Sequence, residues 1–158
     1  MIRGIHHVSI TAQNFERMLE FYRDALGFET VFEASWADSE DMDLLVGLKG
    51  SVADVVMLNA GNVMLELFRY KSPAGKYEPR RPVSNPGYTH ICFDVEDIDT
   101  EIEKLTKAGV TLHRTLLDVP DARVRTVYGR DPDGNVVEIQ EVFGDDNAIK
   151  LRPALRKS

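Results

Sequence analysis

The sequence has little cysteine, no long hydrophobic run and a shortage of positive charge, and each shortage excludes a class of protein. The single cysteine, Cys92, cannot form an intrachain disulfide and is typical of a reducing compartment. No apolar run approaches the ~20 residues that a membrane-spanning helix needs. The 19 basic and 26 acidic residues give a net charge of −7, which argues against binding to nucleic-acid phosphates.

What remains is typical of a globular protein. The chain has 158 residues, of which 43% are hydrophobic and 28% charged, enough for one sizeable core. Residues 1–10 contain no long apolar segment followed by a small-residue cleavage site, so we expect no signal peptide. We therefore expect a soluble, cytoplasmic protein with neither a nucleic-acid nor a membrane partner.

Hydrophobic periodicity and turn residues predict the same order of elements twice. The first half is predicted to contain a strand, a helix and three strands, at 4–10, 15–25, 28–35, 51–59 and 62–70. The second half repeats this order, at 88–94, 98–108, 110–117, 123–129 and 135–142. Asn14 is a candidate N-cap for the first helix, and Asp97 or Asp99 for the second. The intervening segment 71–87 is rich in proline and glycine, which predicts a linker.

Two short motifs occur in both halves and indicate a duplicated module. Gly-x-x-His opens each half, at 4–7 and 87–90, and Gly-Asn-Val introduces each last strand, at 61–63 and 134–136. Two such half-sheets can close together around a shared face. The predicted fold is therefore α+β, with two βαβββ modules forming a paired, partly closed mixed β-barrel with helices outside.

These elements also define the expected domain organisation. We expect a single domain over 1–143, with module one at about 4–70 and module two at 88–142. Residues 144–158 are polar and partly basic, and are predicted to form a peripheral C-terminal tail.

The matched strands carry residues that bind metals. The first strand of each half contains a histidine, His7 or His90, and the last strand contains a glutamate in an apolar run, Glu66 or Glu138. A carboxylate among aliphatic residues needs a partner or a metal, because burying its charge unpaired is costly. Two imidazoles and two carboxylates form a suitable site for a zinc-like divalent ion that acts as a Lewis acid.

Five segments together resemble the glyoxalase/bleomycin-resistance/extradiol-dioxygenase superfamily, whose members are also called vicinal oxygen chelate proteins. They are Ile5-His6-His7-Val8, Phe21-Tyr22-Arg23-Asp24-Ala25-Leu26-Gly27-Phe28, Leu65-Glu66-Leu67, Thr89-His90-Ile91 and Asp131-Pro132-Asp133-Gly134-Asn135-Val136-Val137-Glu138-Ile139. The pattern is most similar to those of glyoxalase I and methylmalonyl-CoA epimerase. The arginine that glyoxalase I carries after its first histidine is absent, which argues against a glutathione substrate.

The resemblance implies one divalent metal ion bound by His7, Glu66, His90 and Glu138, the ion being nickel, zinc, cobalt or manganese. It implies a lyase, or an isomerase or epimerase, acting through a metal-stabilised enediolate or enolate of a small oxygenated substrate. Glu138 or Glu66 is then the catalytic acid and base. We also expect a homodimer.

Two alternatives remain open from the sequence. One is an iron-dependent extradiol-type dioxygenase, which typically uses three ligands and would leave Glu66 surplus. The other is a metal-free protein of the bleomycin-resistance kind that sequesters a ligand.

Glu66 raises a further question. It lies three residues after Val63, whereas Glu138 lies two after Val136, so the two glutamates differ in register relative to Gly-Asn-Val. A β-bulge, or a Glu66 that is not a ligand, would account for the difference.

Several other residues have an ordinary structural interpretation. His6 neighbours His7 on a predicted strand and should face the other way, and His113 is expected at the surface. Asp133 and Gly134 are expected to be turn residues first, and Cys92 a buried, inert thiol. A smaller set has substrate contact as its alternative interpretation. It comprises the exposed pair Arg80-Arg81 and four strand side chains that can line a pocket, Met57, Phe68, Tyr70 and Tyr128.

Overall fold

The computed structural model describes residues 1–78 and 80–151. Pro79, in the predicted linker, and 152–158, in the predicted tail, lie outside the described residues. The chain divides into two compact units, Met1–Tyr77 and Glu78–Ser158, and the boundary falls within the segment 71–87.

The first unit contains four strands and two helical segments. In chain order these are β1 (His7–Thr11), α1 (Phe15–Leu19, continuing as a π-helical segment, Glu20–Ala25), β2 (Glu29–Trp36), α2 (Glu40–Val46), β3 (Val52–Asn59) and β4 (Met64–Ser72). The strand order in the sheet is β1-β4-β3-β2. β1 runs parallel to β4, and the other neighbours are antiparallel.

One face of this sheet is covered by α1. The Asn14 side chain caps the helix by accepting a hydrogen bond from Arg17 N at 3.2 Å, as the sequence predicts. The helix and the π-helical segment bury an apolar stripe made of Phe15, Met18, Phe21 and Tyr22. Beneath it, β3 and β4 bury alternate residues, Val56, Leu58, Leu65 and Leu67. The opposite face of the sheet carries His7 and Glu66.

Helix α2 has no counterpart in the sequence-based prediction. Ser39 Oγ accepts a hydrogen bond from Met42 N at 3.3 Å, and Gly47 ends the helix with φ +68°. The Asp43 carboxylate accepts hydrogen bonds from Gly50 N at 2.6 Å and Ser51 N at 2.7 Å, which joins the helix to β3. Seven residues are too few to establish a helical period, so the helix depends on these caps and contacts.

The second unit repeats the pattern. Its elements are β5 (His90–Asp94), α3 (Ile98–Lys107), β6 (Thr111–Leu112), β7 (Leu117–Val119), a 3₁₀ turn (Pro120–Ala122), β8 (Val124–Arg130) and β9 (Val136–Val142). The sheet order is β5-β9-β8-β6, and β7 also pairs with β8. The single strand predicted at 110–117 is thus two short strands, because residues 113–116 bend out of the ladder.

The N-terminus of α3 is held from two sides. Asp97 accepts a hydrogen bond from Thr100 N at 3.4 Å, so the cap is Asp97 rather than Asp99. The Glu141 carboxylate on β9 accepts hydrogen bonds from Asp97 N at 3.0 Å and Ile98 N at 3.4 Å. A carboxylate at a helix N-terminus is also favoured by the helix dipole.

The structure confirms the α+β class and the two successive βαβββ-like modules. It does not confirm closure into a barrel. Backbone hydrogen bonds form two separate sheets, one of four and one of five strands, and neither closes on itself. Closure needs edge strands that pair, and each unit keeps open edges. In the described part of the chain, no helix is long and apolar enough to cross a membrane.

Candidate metal centre

His7 and Glu66 lie side by side on the open face of the first sheet. Parallel pairing places His7 opposite Met64 and Ser9 opposite Glu66, so the histidine and the glutamate are two residues apart along adjacent strands. His7 Nε2 lies 3.7 Å from Glu66 Oε2. The side chains are 42% and 14% exposed, so the pair is accessible to a ligand.

His90 and Glu138 form the corresponding pair in the second unit. His90 pairs with Val136 and Cys92 with Glu138, again in a parallel arrangement. His90 Nε2 lies 3.2 Å from Glu138 Oε2, and the two side chains are 28% and 15% exposed. Each unit therefore brings together the one histidine and the one glutamate that the sequence predicts.

The strand pairing answers the register question raised by Glu66. His7 is paired with Met64 and His90 with Val136, and each glutamate lies two residues beyond its histidine's partner. β4 begins one residue later after Gly-Asn-Val than β9 does. The offset is therefore absorbed in the turn before β4, and β4 has no bulge at Glu66. Glu66 and Glu138 occupy equivalent positions.

Each carboxylate also accepts a hydrogen bond from a hydroxyl group. Ser9 Oγ donates to Glu66 Oε2, and Thr126 Oγ1 donates to Glu138 Oε1 at 2.7 Å. Such partners fix the orientation of a carboxylate that ligates a metal. Neither hydroxyl group was among the residues predicted for the site. Strand alternation would have found Ser9, two residues after His7, whereas Thr126 requires the β8–β9 register.

Two tyrosines on the glutamate faces have altered acidity. Tyr128 Oη lies 3.3 Å from His90 Nε2, and burial, followed by the charge of Glu138, raises the pKa of Tyr128. Burial and the charge of Glu66 likewise raise the pKa of Tyr70. Both hydroxyls therefore stay protonated near neutral pH and can donate hydrogen bonds.

Cys92 shares the face of His90 and Glu138. The residue keeps some solvent exposure, but partial burial of its thiol, followed by the negative charge of Glu138, raises the pKa of Cys92 to about 12. A thiol with that pKa is protonated and weakly nucleophilic at neutral pH. The raised pKa agrees with the expectation of an inert thiol, but the expectation that Cys92 is buried was wrong.

The remaining candidates take structural positions. His6 precedes β1, and its Nδ1 lies 2.8 Å from His7 Nδ1, so it contacts the site residue rather than facing the other way as expected. The Arg81 guanidinium donates to the carbonyl oxygens of Pro86 and Tyr88. Asp131 organises the turn before β9, and His113 is exposed, as expected.

Each unit provides donor atoms of the kinds that a borderline divalent ion prefers. One imidazole nitrogen and one carboxylate in each unit are ligand types typical of zinc, nickel, cobalt and manganese. Among the described residues, the ion pairs of Glu66 and Glu138 are with histidine only, so no lysine or arginine competes with a metal. Neither unit, over the part of it that the structure describes, assembles three or more His, Cys, Asp or Glu side chains into a metal-binding group.

Comparison with known proteins identifies the family. A family model described as the glyoxalase/bleomycin resistance protein/dioxygenase superfamily matches residues 4–139. The chain belongs to this superfamily.

Two relatives of this superfamily member are each 31% identical to it. The uncharacterized protein YaeR of Escherichia coli aligns over 140 residues, covering 89% of this chain and 97% of YaeR. The 2-epi-5-epi-valiolone epimerase of an Actinomyces species aligns over 145 residues, covering 86% of this chain and 78% of the epimerase.

Solved structures show the same fold. A glyoxalase family protein from Bacillus cereus superposes with a TM-score of 0.82 at 24% identity, over 91% of this chain and 97% of that one. The fosfomycin resistance protein FosX of Listeria monocytogenes, complexed with Mn(II) and a sulfate ion, has a TM-score of 0.62 at 14% identity, over 95% of this chain and 100% of that one. At these identities the likeness concerns the fold alone.

Proposed function

We propose that this protein is a divalent-metal-dependent isomerase, more narrowly an epimerase, or a lyase, which moves a proton at a carbon next to a substrate carbonyl group. The observation that carries the proposal is the His–Glu pair found at equivalent positions in both modules. We propose that His7, Glu66, His90 and Glu138 together hold one nickel, zinc, cobalt or manganese ion.

Three points support the metal. Each pair combines a ring nitrogen with a carboxylate that has no lysine or arginine partner among the described residues. Each carboxylate has a hydroxyl group that orients it. A protein of the same fold has been solved with Mn(II).

The protein's own residues would carry the proton. When bound, a divalent ion supplies Lewis-acid stabilisation of negative charge on a substrate oxygen. Glu138 or Glu66 accepts the proton from the neighbouring carbon and returns it to the same carbon or an adjacent one. Thr126 and Ser9 keep the two carboxylates oriented, and the protonated Tyr128 can donate a hydrogen bond to an anionic intermediate.

One relative favours proton transfer over the dioxygenase and ligand-sequestering alternatives. The epimerase that is 31% identical to this chain has a name that describes inversion at a carbon centre. Epimerisation, isomerisation and elimination all begin with removal of that proton, so a lyase follows from the same site. The homodimer and the cytoplasmic location stay predictions.

The first test is metal content. Protein purified without a metal-binding tag is analysed by elemental mass spectrometry beside the variants His7→Ala, His90→Ala and Glu138→Ala, with the surface variant His113→Ala as control. We expect about one nickel, zinc, cobalt or manganese ion per chain in the wild type and the control. Each site variant should lose at least about a hundredfold in affinity, because loss of a ligand exceeds the tenfold to hundredfold cost of losing a partner behind it.

Other outcomes would contradict the proposal. Iron as the native ion, with oxygen uptake on a catechol, would indicate the dioxygenase alternative. If the wild type binds no metal even when metal is added in excess, the remaining alternative is a metal-free protein that sequesters a ligand. Retention of full affinity in either histidine variant would remove that unit's pair from the site.

A further inference from the structure

We infer that Trp36, Phe68 and Tyr70 form an apolar subsite beside Glu66, and that it takes a planar, uncharged group of the substrate, such as an aryl ring. We call these three residues the aromatic cluster. The inference rests on the proposed function, since it assumes that the adjacent oxygen atoms of the substrate lie near the His–Glu pairs.

The aromatic cluster lies on the same face of the sheet as Glu66. Phe68 and Tyr70 follow Glu66 at two-residue intervals along β4, so their side chains project from the same face. Trp36 on β2 pairs with Ala53, and Ala53 pairs with Tyr70. The three rings therefore continue directly from the carboxylate, away from the turn before β4.

The rings are held in place. Trp36 Nε1 donates to Ser51 Oγ at 2.8 Å, and Ser51 is fully buried. Ser51 N in turn donates to Asp43. The small, buried side chain of Ala53 lies between β2 and β4, and the ring centroids of Trp36 and Tyr70 are 6.0 Å apart across it. A fixed surface of this kind loses little side-chain entropy when a ligand binds.

Ring geometry favours a flat partner. Phe68 and Tyr70 stack with centroids 5.5 Å apart and an interplanar angle of 25°. Trp36 meets them edge-on, at 81° and 84°. The three faces therefore do not converge on one point, as a cage for a cation requires, whereas a planar group can extend the stack. All three side chains are only partly buried, so part of each remains available.

Charge on this face argues against an anionic group. None of the strand residues that share the face with Glu66, from 7–11, 32–36, 53–57 and 64–70, is lysine or arginine. Arg69 and Lys71 project from the opposite face, where both bind Asp54. A phosphate or carboxylate beside the aromatic cluster would find no lysine or arginine on these strands to pair with, so the bound group is neutral.

The same positions in the second unit are not aromatic. Gln140 on β9 follows Glu138 as Phe68 follows Glu66, and Val142 stands where Tyr70 stands. The apolar subsite therefore occurs in the first unit only, whereas the His–Glu pair occurs in both. We assign the subsite to recognition of the substrate because it is not part of the duplicated module.

The test uses Trp36, the only tryptophan in the chain. The full-length protein is titrated with two neutral α-hydroxyketones, 2-hydroxyacetophenone and hydroxyacetone, which differ in an aryl ring against a methyl group. Trp36 emission and calorimetry are followed in metal-free and metal-loaded protein. We expect 2-hydroxyacetophenone to change the emission and to bind about tenfold more tightly, since burial of a ring adds apolar contact. Free N-acetyltryptophanamide corrects for light absorbed by the ketone.

Variants separate the subsite from general hydrophobic binding. Phe68→Leu should lower the preference for the aryl ketone at least threefold, whereas Phe143→Leu, which replaces an exposed ring in the second unit, should leave it unchanged. Circular dichroism verifies that both variants fold. If Phe68→Leu fails to fold, Tyr70→Leu replaces it.

The results distinguish this inference from the proposed function. A preference for the aryl ketone in metal-free protein supports the subsite even if no metal binds and the proposed enzyme activity fails. Equal affinity for both ketones, or unchanged Trp36 emission, in a protein that does bind metal overturns the subsite alone. Tighter binding of choline than of 2-hydroxyacetophenone would assign a cation to the rings and also overturn it.

Discussion

The two units contain the same histidine–glutamate pair in different surroundings. In the first unit, Ser9 donates to Glu66, and aromatic rings follow along β4. In the second, Thr126 donates to Glu138, and Tyr128 reaches His90. Duplication preserved the strand register that joins histidine to glutamate, while the neighbouring positions diverged. Each glutamate has a hydroxyl donor, but a tyrosine lies beside the histidine in the second unit, whereas aromatic rings follow the glutamate in the first.

The largest expected effect comes from replacing either glutamate by its amide. Glu138→Gln and Glu66→Gln each keep the shape of the side chain and remove one carboxylate, and we expect the variant that loses the base to lower the rate of proton exchange by about 10²–10⁴. Exchange is measured by NMR as deuterium uptake from D₂O at the carbon next to the carbonyl of a bound α-hydroxyketone. Glu103→Gln, on the exposed side of α3, is the control. If both site variants retain exchange, neither carboxylate is the base.

Removing the hydroxyl groups of Ser9 and Thr126 tests whether both glutamates depend on their hydroxyl donors to the same extent. Thr126→Val and Ser9→Ala each remove the donor to one glutamate, and we expect a tenfold to hundredfold loss of metal affinity from each. Competition with a chelator measures the affinity, and Thr111→Val, at the edge of the second sheet, is the control. A loss in only one variant would show that only that glutamate depends on its hydroxyl partner.

The turns that precede the two glutamate strands should differ in their contribution to stability. The buried carboxylate of Asp131 accepts hydrogen bonds from Asp133 N, Asn135 N and Asn135 Nδ2, at 2.9–3.0 Å. Asp131→Ala leaves these donors unpaired, and we expect it to lower the free energy of unfolding by about 2–3 kcal/mol. In the other module, the Asn59 side chain accepts one hydrogen bond, from Gly61 N. Asn59→Ala should therefore lower the free energy of unfolding by about 0.5–1 kcal/mol. Equal losses in urea unfolding would contradict the difference between the turns.

The smallest effect concerns pH. Hydrogen bonds from Ser51, first from its side chain and then from its backbone, and from Gly50 N lower the pKa of Asp43. The folded pKa lies below the unfolded value, so this stabilisation is complete above about pH 4–5 and is lost as pH falls through the folded pKa. Asp43→Asn should therefore lower the urea midpoint at pH 7, and the difference from the wild type should shrink as pH falls through the lowered pKa of Asp43.

Asp99 in the second unit provides the matching case. A hydrogen bond from Arg125 lowers the pKa of Asp99 in an exposed ion pair. Added salt should reduce the effect of Asp99→Asn, because exposed charges are screened, and should leave the effect of Asp43→Asn nearly unchanged. The same response to salt at both positions would contradict this distinction.

Much of the fold could be predicted because its elements are encoded locally. Apolar residues at helical spacing predicted the helix at 15–25, and Gly61 and Gly134 marked the turns between strands. The prediction of one strand at 110–117 was wrong in detail, because β6 and β7 pair separately with β8 and residues 113–116 bend between them. Helix α2 escaped prediction because Asp43 and Ser51 stabilise it through contacts across the following loop.

The sequence by itself determined the duplicated order of elements, because periodicity and turn residues are local. Residue type, together with the family resemblance, was also enough to propose His7, Glu66, His90 and Glu138 as candidate ligands. Only the tertiary structure decided how the strands align. Register between β1 and β4 depends on hydrogen bonds between residues more than fifty positions apart, and no local pattern encodes it. The same long-range pairing brings Thr126 to Glu138 and sets Trp36 beside Tyr70.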